Sequence, residues 1–395
     1  MKTTWICSIL ISLGLLSSGS AQEIVPNDPG FTRQYGLHYT ETPLAWNFAT
    51  GSMKIVVAVI DTGVDYTHPD LYLNTWINQK EIPPRIRHRL VDLDGDGLIT
   101  FWDLNDPVNQ GSGKIADLNN NGYVDGGDLL FSIEAGGWAD GRDNGKNGFI
   151  DDLIGWDFRD NDNDPMDFDG HGTFCSGIIG ATANNNFGIA GVNWRVSVMA
   201  VRRPPNALTS IRYAVDNGAH ISNNSYGFDG AVVPPELVAA TTELLKYAAE
   251  RDHLFVTAAG NNKMDIDVPP SFLPAGLDSS NILSVAATDR ADRLAYFSNY
   301  GAQSVDLGAP GHAIWSTVPD SYLELELSLE FGTSFAGPYV AGAAALMLSV
   351  NPTLTVEEIR DRIMDNVDPV KDLSGITVTG GRLNTFRAVS AALWQ

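Results

Sequence analysis

Lys54-Ile55-Val56-Val57-Ala58-Val59-Ile60-Asp61-Thr62-Gly63 is the stretch that decides the fold. From Ile55 to Ile60 every side chain is apolar and most are β-branched. A strand wet on one face would alternate polar with apolar, so this run reads as a parallel strand buried on both faces. Similar runs stand at 196–201, 220–223, 254–258 and 282–286, and helical periodicity fills 208–217 and 235–251. Strands alternating with helices predict an α/β fold, a doubly wound, mostly parallel sheet flanked by helices. Sites in such sheets form beyond the carboxyl ends of strands. Asp61 and Asn261 stand at two such ends, closing the runs at 54–60 and 254–258.

Asp61 is also the first of three reactive side chains set beside glycines. The second lies in Asp169-Gly170-His171-Gly172-Thr173 and the third in Gly332-Thr333-Ser334-Phe335-Ala336-Gly337-Pro338. His171 and Ser334 open helical stretches at 172–181 and 335–349, the second with Pro338 in its first turn, where proline is tolerated. An acid, an imidazole and a hydroxyl are the parts of a nucleophilic acyl transfer. In the order Asp, His, Ser, the three segments resemble the motifs of the subtilisin-like serine proteases, the subtilases. The resemblance implies that Ser334 attacks a carbonyl, His171 takes its proton and Asp61 orients the ring. It further implies that Asn261, in Ala258-Ala259-Gly260-Asn261, donates to the oxyanion. Ser225, Tyr226 and Gly227, with Ala259 and Gly260, would line the substrate strand and the primary specificity pocket. Tyr226 beside Gly227 points to a roomy, largely apolar pocket.

Bulk properties narrow the setting. Residues 1–21 read as a secretory signal peptide: Lys2, an apolar run over 5–16, then small residues ending near Ala21. That run is too short to cross a membrane, and the longest later candidate, 337–350, reads as a buried core helix. Residues 22–395 are then one exported peptidase domain carrying an insertion. Cys7 leaves with the leader, so Cys175 stands alone without a disulfide partner. Four residues after His171 on one helix, Cys175 reads as a small buried hydrophobe rather than a nucleophile. A net charge of −23 disfavours nucleic acid and anionic membranes as partners. The expected partner is a polypeptide substrate, and the expected state is a secreted monomer.

The acidity is concentrated. Residues 92–169 carry nineteen Asp and Glu against four Lys and Arg, which a merely solvated segment would scatter without pattern. Here the spacing is fixed. Asp92, Asp94, Asp96, Leu98, Thr100 and Asp103 fall at positions one, three, five, seven, nine and twelve of a calcium loop, with Gly97 at six. Asp103 stands where an EF-hand has the longer glutamate, so the loop is similar to that of a dockerin. A second copy holds Asp117, Asn119, Asn121, Tyr123, Asp125 and Asp128 around Gly122. A third, degenerate copy holds Asp143, Asn147, Phe149, Asp151 and Asp152, with Ile154 at position twelve. Elsewhere, Asn185, Phe187 and Ile189 with Asp70 resemble the subtilase calcium loop. An insertion at 90–155 that binds several structural Ca2+ ions is the expectation, the cations taking the place of disulfides.

Three features depart from the family pattern. About thirty residues separate Ala21 from Lys54, too few for the folding propeptide of most exported subtilases. The segment 202–207, Arg-Arg-Pro-Pro-Asn-Ala, is shorter than the glycine-rich wall of the family's peptide cleft. Phe174-Cys175 stands where His-Val is common, a change expected to affect packing alone. Two functions remain open: a calcium-stabilised serine endopeptidase, or a catalytically weak scaffold that docks a partner through its insertion. A general esterase lacks support, since the Gly-x-Ser-x-Gly turn is missing.

Overall fold

The computed structural model describes residues 22–269, 271–319 and 327–394, so the leader expected at 1–21 lies outside them. Nine strands make the main sheet: β1 (Gly51–Asp61), β2 (Gly155–Asp157), β3 (Arg195–Arg202), β4 (Ile221–Asn224), β5 (Leu254–Ala258), β6 (Ile282–Thr288), β7 (Leu307–Pro310), β8 (Asp368–Pro369) and β9 (Gly381–Arg382). Their spatial order is β8-β9-β7-β6-β5-β4-β1-β3-β2. Every pairing is parallel except the β8–β9 hairpin at one edge.

The apolar run in β1 explains the layering. Ile55, Val57 and Val59 pack into one core cluster with Ile178, Val340 and Ala344. Val56, Ala58 and Ile60 point the other way, into a cluster with Ile211, Ala214 and Leu245. Helices α1 (His171–Gly180) and α4 (Thr333–Val350) therefore cover one face, and α2 (Leu208–Asp216) and α3 (Pro235–Ala249) the other. Among the described residues α4 alone has the length and hydropathy of a membrane span, yet 83% of it is buried inside the fold. It is the core helix that the sequence predicts.

Its start differs from the expectation. The helix begins at Thr333, so Pro338 sits in its interior rather than in its first turn. Proline has no N–H, and the carbonyl four residues earlier, that of Ser334, loses its helical partner. Ser225 Oγ donates to that oxygen at 2.6 Å, and Cys175 Sγ lies 3.5 Å from it. An orphaned buried carbonyl would cost about 1–3 kcal/mol. Three segments distant in sequence are tied together at this one atom.

A third cluster gathers Tyr66, Ile77, Ile82, Ile99, Phe101, Val124, Trp138 and Ile154. The acidic stretch thus folds over a small apolar core that it shares with the segment 66–86 before it.

His253, fully buried, has Nδ1 2.7 Å from Ala219 O and Nε2 2.9 Å from Ser222 Oγ. Burial is the main cause that pulls its pKa from 6.5 down to about 4. The folded ring stays neutral where the unfolded one is already charged. Its contribution to stability is therefore whole above about pH 6.5 and lost as pH falls towards 4, by roughly 3 kcal/mol at the limit. Urea denaturation at about pH 7 and about pH 4.5 should show a larger loss of stability for the wild type than for His253→Gln. Equal losses would exclude this account.

Candidate active site

Asp61 ends β1 and is 2% exposed. Its Oδ1 accepts from the Thr62 N–H at 2.8 Å and from His171 Nδ1 at 2.7 Å. A carboxylate only accepts, so the proton lies on Nδ1 and Nε2 is left with its lone pair. His171 opens α1, and Gly172 explains how it gets there. A Cβ on Gly172 would lie 2.0 Å from the carbonyl oxygen of Gly63, so only glycine lets the helix end approach the turn after β1. Thr62 Oγ1 fastens the same joint by accepting from Gly172 N–H at 2.9 Å. Partial burial lowers the imidazole's proton affinity, but the carboxylates of Asp61, Asp169 and Asp167 outweigh it, and the pKa rises above 6.5.

Ser334 lies in the first turn of α4, where the leading N–H groups have no helical partners and the dipole favours negative charge. Its hydroxyl donates to Ser225 O at 3.3 Å. The next residue, Phe335, holds its ring 5.3 Å from that of His171. Asn261 reaches the same helix end from beyond β5. Its Oδ1 accepts from the Thr333 N–H and the Thr333 hydroxyl, each at 2.9 Å. With its oxygen committed twice, the exposed Asn261 has Nδ2 left as a donor. Gly260 N–H completes the joint by donating to Thr333 Oγ1 at 3.0 Å. Asp61, His171, Ser334, Asn261 and Ser225 thus meet at the carboxyl ends of β1, β4 and β5. Tyr226 is buried and carries the Arg203 guanidinium over its ring at 4.4 Å. The buried Cys175 lies behind the site as a packing residue.

The acidic loops repeat one another in space. Gly97, Gly122 and Gly148 all take positive φ, at 93°, 104° and 94°. Their N–H groups donate to Asp92, Asp117 and Asp143 at 2.8, 2.9 and 2.8 Å. Position five of each loop, Asp96, Asn121 or Asn147, accepts from the N–H two residues later, that of Leu98, Tyr123 or Phe149. Carboxylate oxygens of Asp92, Asp94 and Asp96 lie within 4.8 Å of one another. Asp103 does not join that group. Its oxygens accept from the Leu93 and Thr100 N–H groups and the Thr100 hydroxyl, and Asp128 does the same for Leu118, Asn119 and Asp125 N–H. In the second loop the amides of Asn119 and Asn121 turn towards Asp125.

The third loop lacks a carboxylate at position twelve, where Ile154 is buried. Glu81 fills the role, accepting from the N–H groups of Asn144, Gly145 and Asp151 at 3.2, 2.6 and 3.0 Å. The sequence reading missed this residue, which stands 63 positions before Asn144. Asp152 instead bonds Asn78, Tyr213 and Asn147. At the separate loop, Asp70 accepts from Asn185 Nδ2 and Ile189 N–H, each at 2.8 Å. Phe187 lies between them on the loop, its N–H held by Asn185 Oδ1 at 2.8 Å. Asp28, also missed, binds the N–H groups of Asn184 and Asn185 beside it. Burial lifts Asp70 to about 8, Asp152 to about 7 and Asp125 to about 6.

The arrangement can deliver a hydroxyl to a carbonyl beside a base and a donor for the developing charge. Comparison with known proteins gives the family. The family described as the subtilase family, peptidase S8, matches residues 52–385. The thermophilic serine proteinase of Bacillus sp. (strain AK1) is 32% identical over 374 residues, covering 92% of this chain and 69% of that one. Thermitase of Thermoactinomyces vulgaris is 31% identical over 374 residues, covering 92% and 99%. A solved protease structure from Pseudoalteromonas arctica PAMC 21717 covers 93% of this chain and 100% of its own, with a TM-score of 0.60 at 24% identity, a likeness of fold. The buried acid against the imidazole, the serine on its helix end and these relatives lead to one conclusion: the chain belongs to the subtilase family of serine endopeptidases.

Proposed function

We propose that residues 22–395 form a secreted, calcium-stabilised endopeptidase that cleaves peptide bonds through Asp61, His171 and Ser334. The observation that carries the reading is the Nδ1 to carboxylate bond, which leaves His171 Nε2 free to act as a base. For attack, the Ser334 hydroxyl exchanges Ser225 O for His171 Nε2, gives up its proton there and adds to the scissile carbonyl. Asp61 stabilises the resulting imidazolium. Asn261 Nδ2 and the Ser334 N–H then receive the oxyanion, and the α4 dipole adds to both. The protonated ring passes its proton to the leaving amine, and water repeats the cycle on the ester. The substrate lies extended along Ser225, Tyr226 and Gly227, opposite Ala259 and Gly260.

The insertion at 90–155 fits calcium by the chemistry of its donors: carboxylate, amide and carbonyl oxygens, with no nitrogen or sulfur donor. Buried carboxyls lifted towards neutrality are groups that a cation would keep ionised. Asp92, Asp94, Asp96 and the Leu98 carbonyl would hold one ion, with Thr100 and Asp103 closing the loop behind them. Asp117, Asn119, Asn121, the Tyr123 carbonyl, Asp125 and Asp128 would hold a second. Asp143, Asn147, the Phe149 carbonyl, Asp151, Asp152 and Glu81 would serve a third, and Asp70, Asn185 and the Phe187 and Ile189 carbonyls a fourth. Calcium there supplies charge balance and loop closure. The rival, a docking scaffold of dockerin type, needs two well-formed helices after the loops. Phe101–Leu104 and Gly126–Leu130 are each only about one turn long, which favours a structural role.

Ser334→Ala should abolish both peptide hydrolysis and labelling by a fluorophosphonate, while unlabelled calcium-loaded wild type would support the scaffold. Asn261→Ala should lower kcat about 10²–10³-fold with little change in KM. Because the imidazolium cannot act as the base, kcat/KM should fall as pH drops through a value above 6.5. Asp61→Asn should cost roughly 10⁴-fold and move that acid limb downward; a limb that stays in place would count against the assignment.

Chelation should lower the melting temperature by roughly 5 °C or more, the effect of losing one saturated site. Glu81→Gln should shrink the rise that added calcium restores, and Ser334→Ala should leave it intact. A melting curve indifferent to chelator would remove calcium from the account.

A further inference from the structure

Gly227 and Gly260 belong to the two segments that would line the pocket for the substrate's leading side chain, and one aromatic ring lies close to both. A Cβ on Gly227 would lie 2.1 Å from Phe272 Cε1 and 2.6 Å from its Cζ. A Cβ on Gly260 would lie 2.8 and 2.9 Å from Cε1 and Cδ1 of the same ring. The missing side chain of Gly227 points first at Phe272, while that of Gly260 meets Asn299 Nδ2 at 2.3 Å before it meets the ring, so Phe272 stands in the volume that Gly227 leaves open and borders that of Gly260. From these facts we infer that Phe272 closes the primary pocket and restricts the enzyme to peptides with glycine, alanine or serine immediately before the scissile bond. The inference rests on the peptidase reading above and corrects the roomy pocket expected from Tyr226.

The ring is held in place. Phe272 and Leu273 pair antiparallel with Asp229 and Phe228, and the hairpin starts one residue after Gly227. Gly276 N–H donates to Phe272 O at 2.8 Å, and Gly230 N–H donates to Ser271 O at 2.7 Å. The side chain packs with Ala259, Ile266 and Ala275, a small apolar cluster at the foot of the Asn261 turn. Swinging it out would break that packing and expose the ring to water. Tyr226 lines a different apolar pocket, with Leu208, Phe228 and Leu237. It is buried beneath Arg203, with its hydroxyl donating to Asn224 Oδ1 at 3.0 Å. A large side chain before the scissile bond therefore meets aromatic carbon, and an overlap of that kind costs catalysis rather than folding.

Internally quenched peptides identical except for alanine or phenylalanine before the scissile bond provide the test, with calcium-loaded full-length protein. The wild type should cleave the alanine peptide with a kcat/KM roughly tenfold to a hundredfold higher. Phe272→Ala should reverse the preference, and Phe272→Leu should fall between. Fluorophosphonate labelling of each variant reports that the serine remains reactive. A wild type that accepts phenylalanine as readily as alanine overturns the inference, as does an unchanged ratio in a Phe272→Ala protein that still labels. Failure of the wild type to label or to cleave either peptide removes the peptidase reading, and this inference with it.

Discussion

Burying the Asp61 carboxyl at the end of β1 is the constraint on which the site depends. A buried carboxylate is tolerable only with donors and a partner cation in reach, and here the donors are the Thr62 N–H and the His171 ring. For the ring to arrive, α1 must press its first turn against Gly63, and only a residue without a Cβ at position 172 allows that. The same helix then positions Cys175 under the Ser334 carbonyl, and Phe174 against Phe335 with ring centres 4.4 Å apart. One electrostatic requirement thus sets the approach of α1, and α1 sets the approach of α4.

The joint around Ser334 turns a defect into a fixture. Pro338 breaks one helical hydrogen bond, and the freed carbonyl is claimed by Ser225 from the neighbouring strand end. The Ser334 hydroxyl rests on the carbonyl of the same Ser225. Side chain and backbone of one residue therefore position both ends of Ser334. Asn261 works similarly from the other side, spending its oxygen on Thr333 so that its nitrogen is aimed.

How much of this was legible in the sequence depends on the range of the interaction involved. The β1 run, the recurrent strand runs and the Asp61, His171 and Ser334 motifs are local patterns, and the strands begin and end within three residues of where the sequence puts them. The strands Gly155–Asp157 and Leu307–Pro310 escaped notice because they are short and carry Gly, Asp or Pro in place of an apolar run. The start of α4 was misplaced because Gly332-Thr333 has no apolar periodicity; its place is set by Asn261, 72 residues away. Phe272 looks like any half-buried aromatic until Gly227 and Gly260 are brought around it. Glu81 belongs to no local calcium pattern, and only the three N–H groups it shares with the third loop reveal it.

That last residue has an architectural consequence. The first two loops each close on their own terminal aspartate, and Asn105 at the end of the first bonds both backbone groups of Val124 in the second. The third borrows its final carboxylate from the segment that enters the insertion. It behaves as a clasp joining the insertion's entry to its exit, and it cannot be transplanted without carrying both ends of the acidic module along.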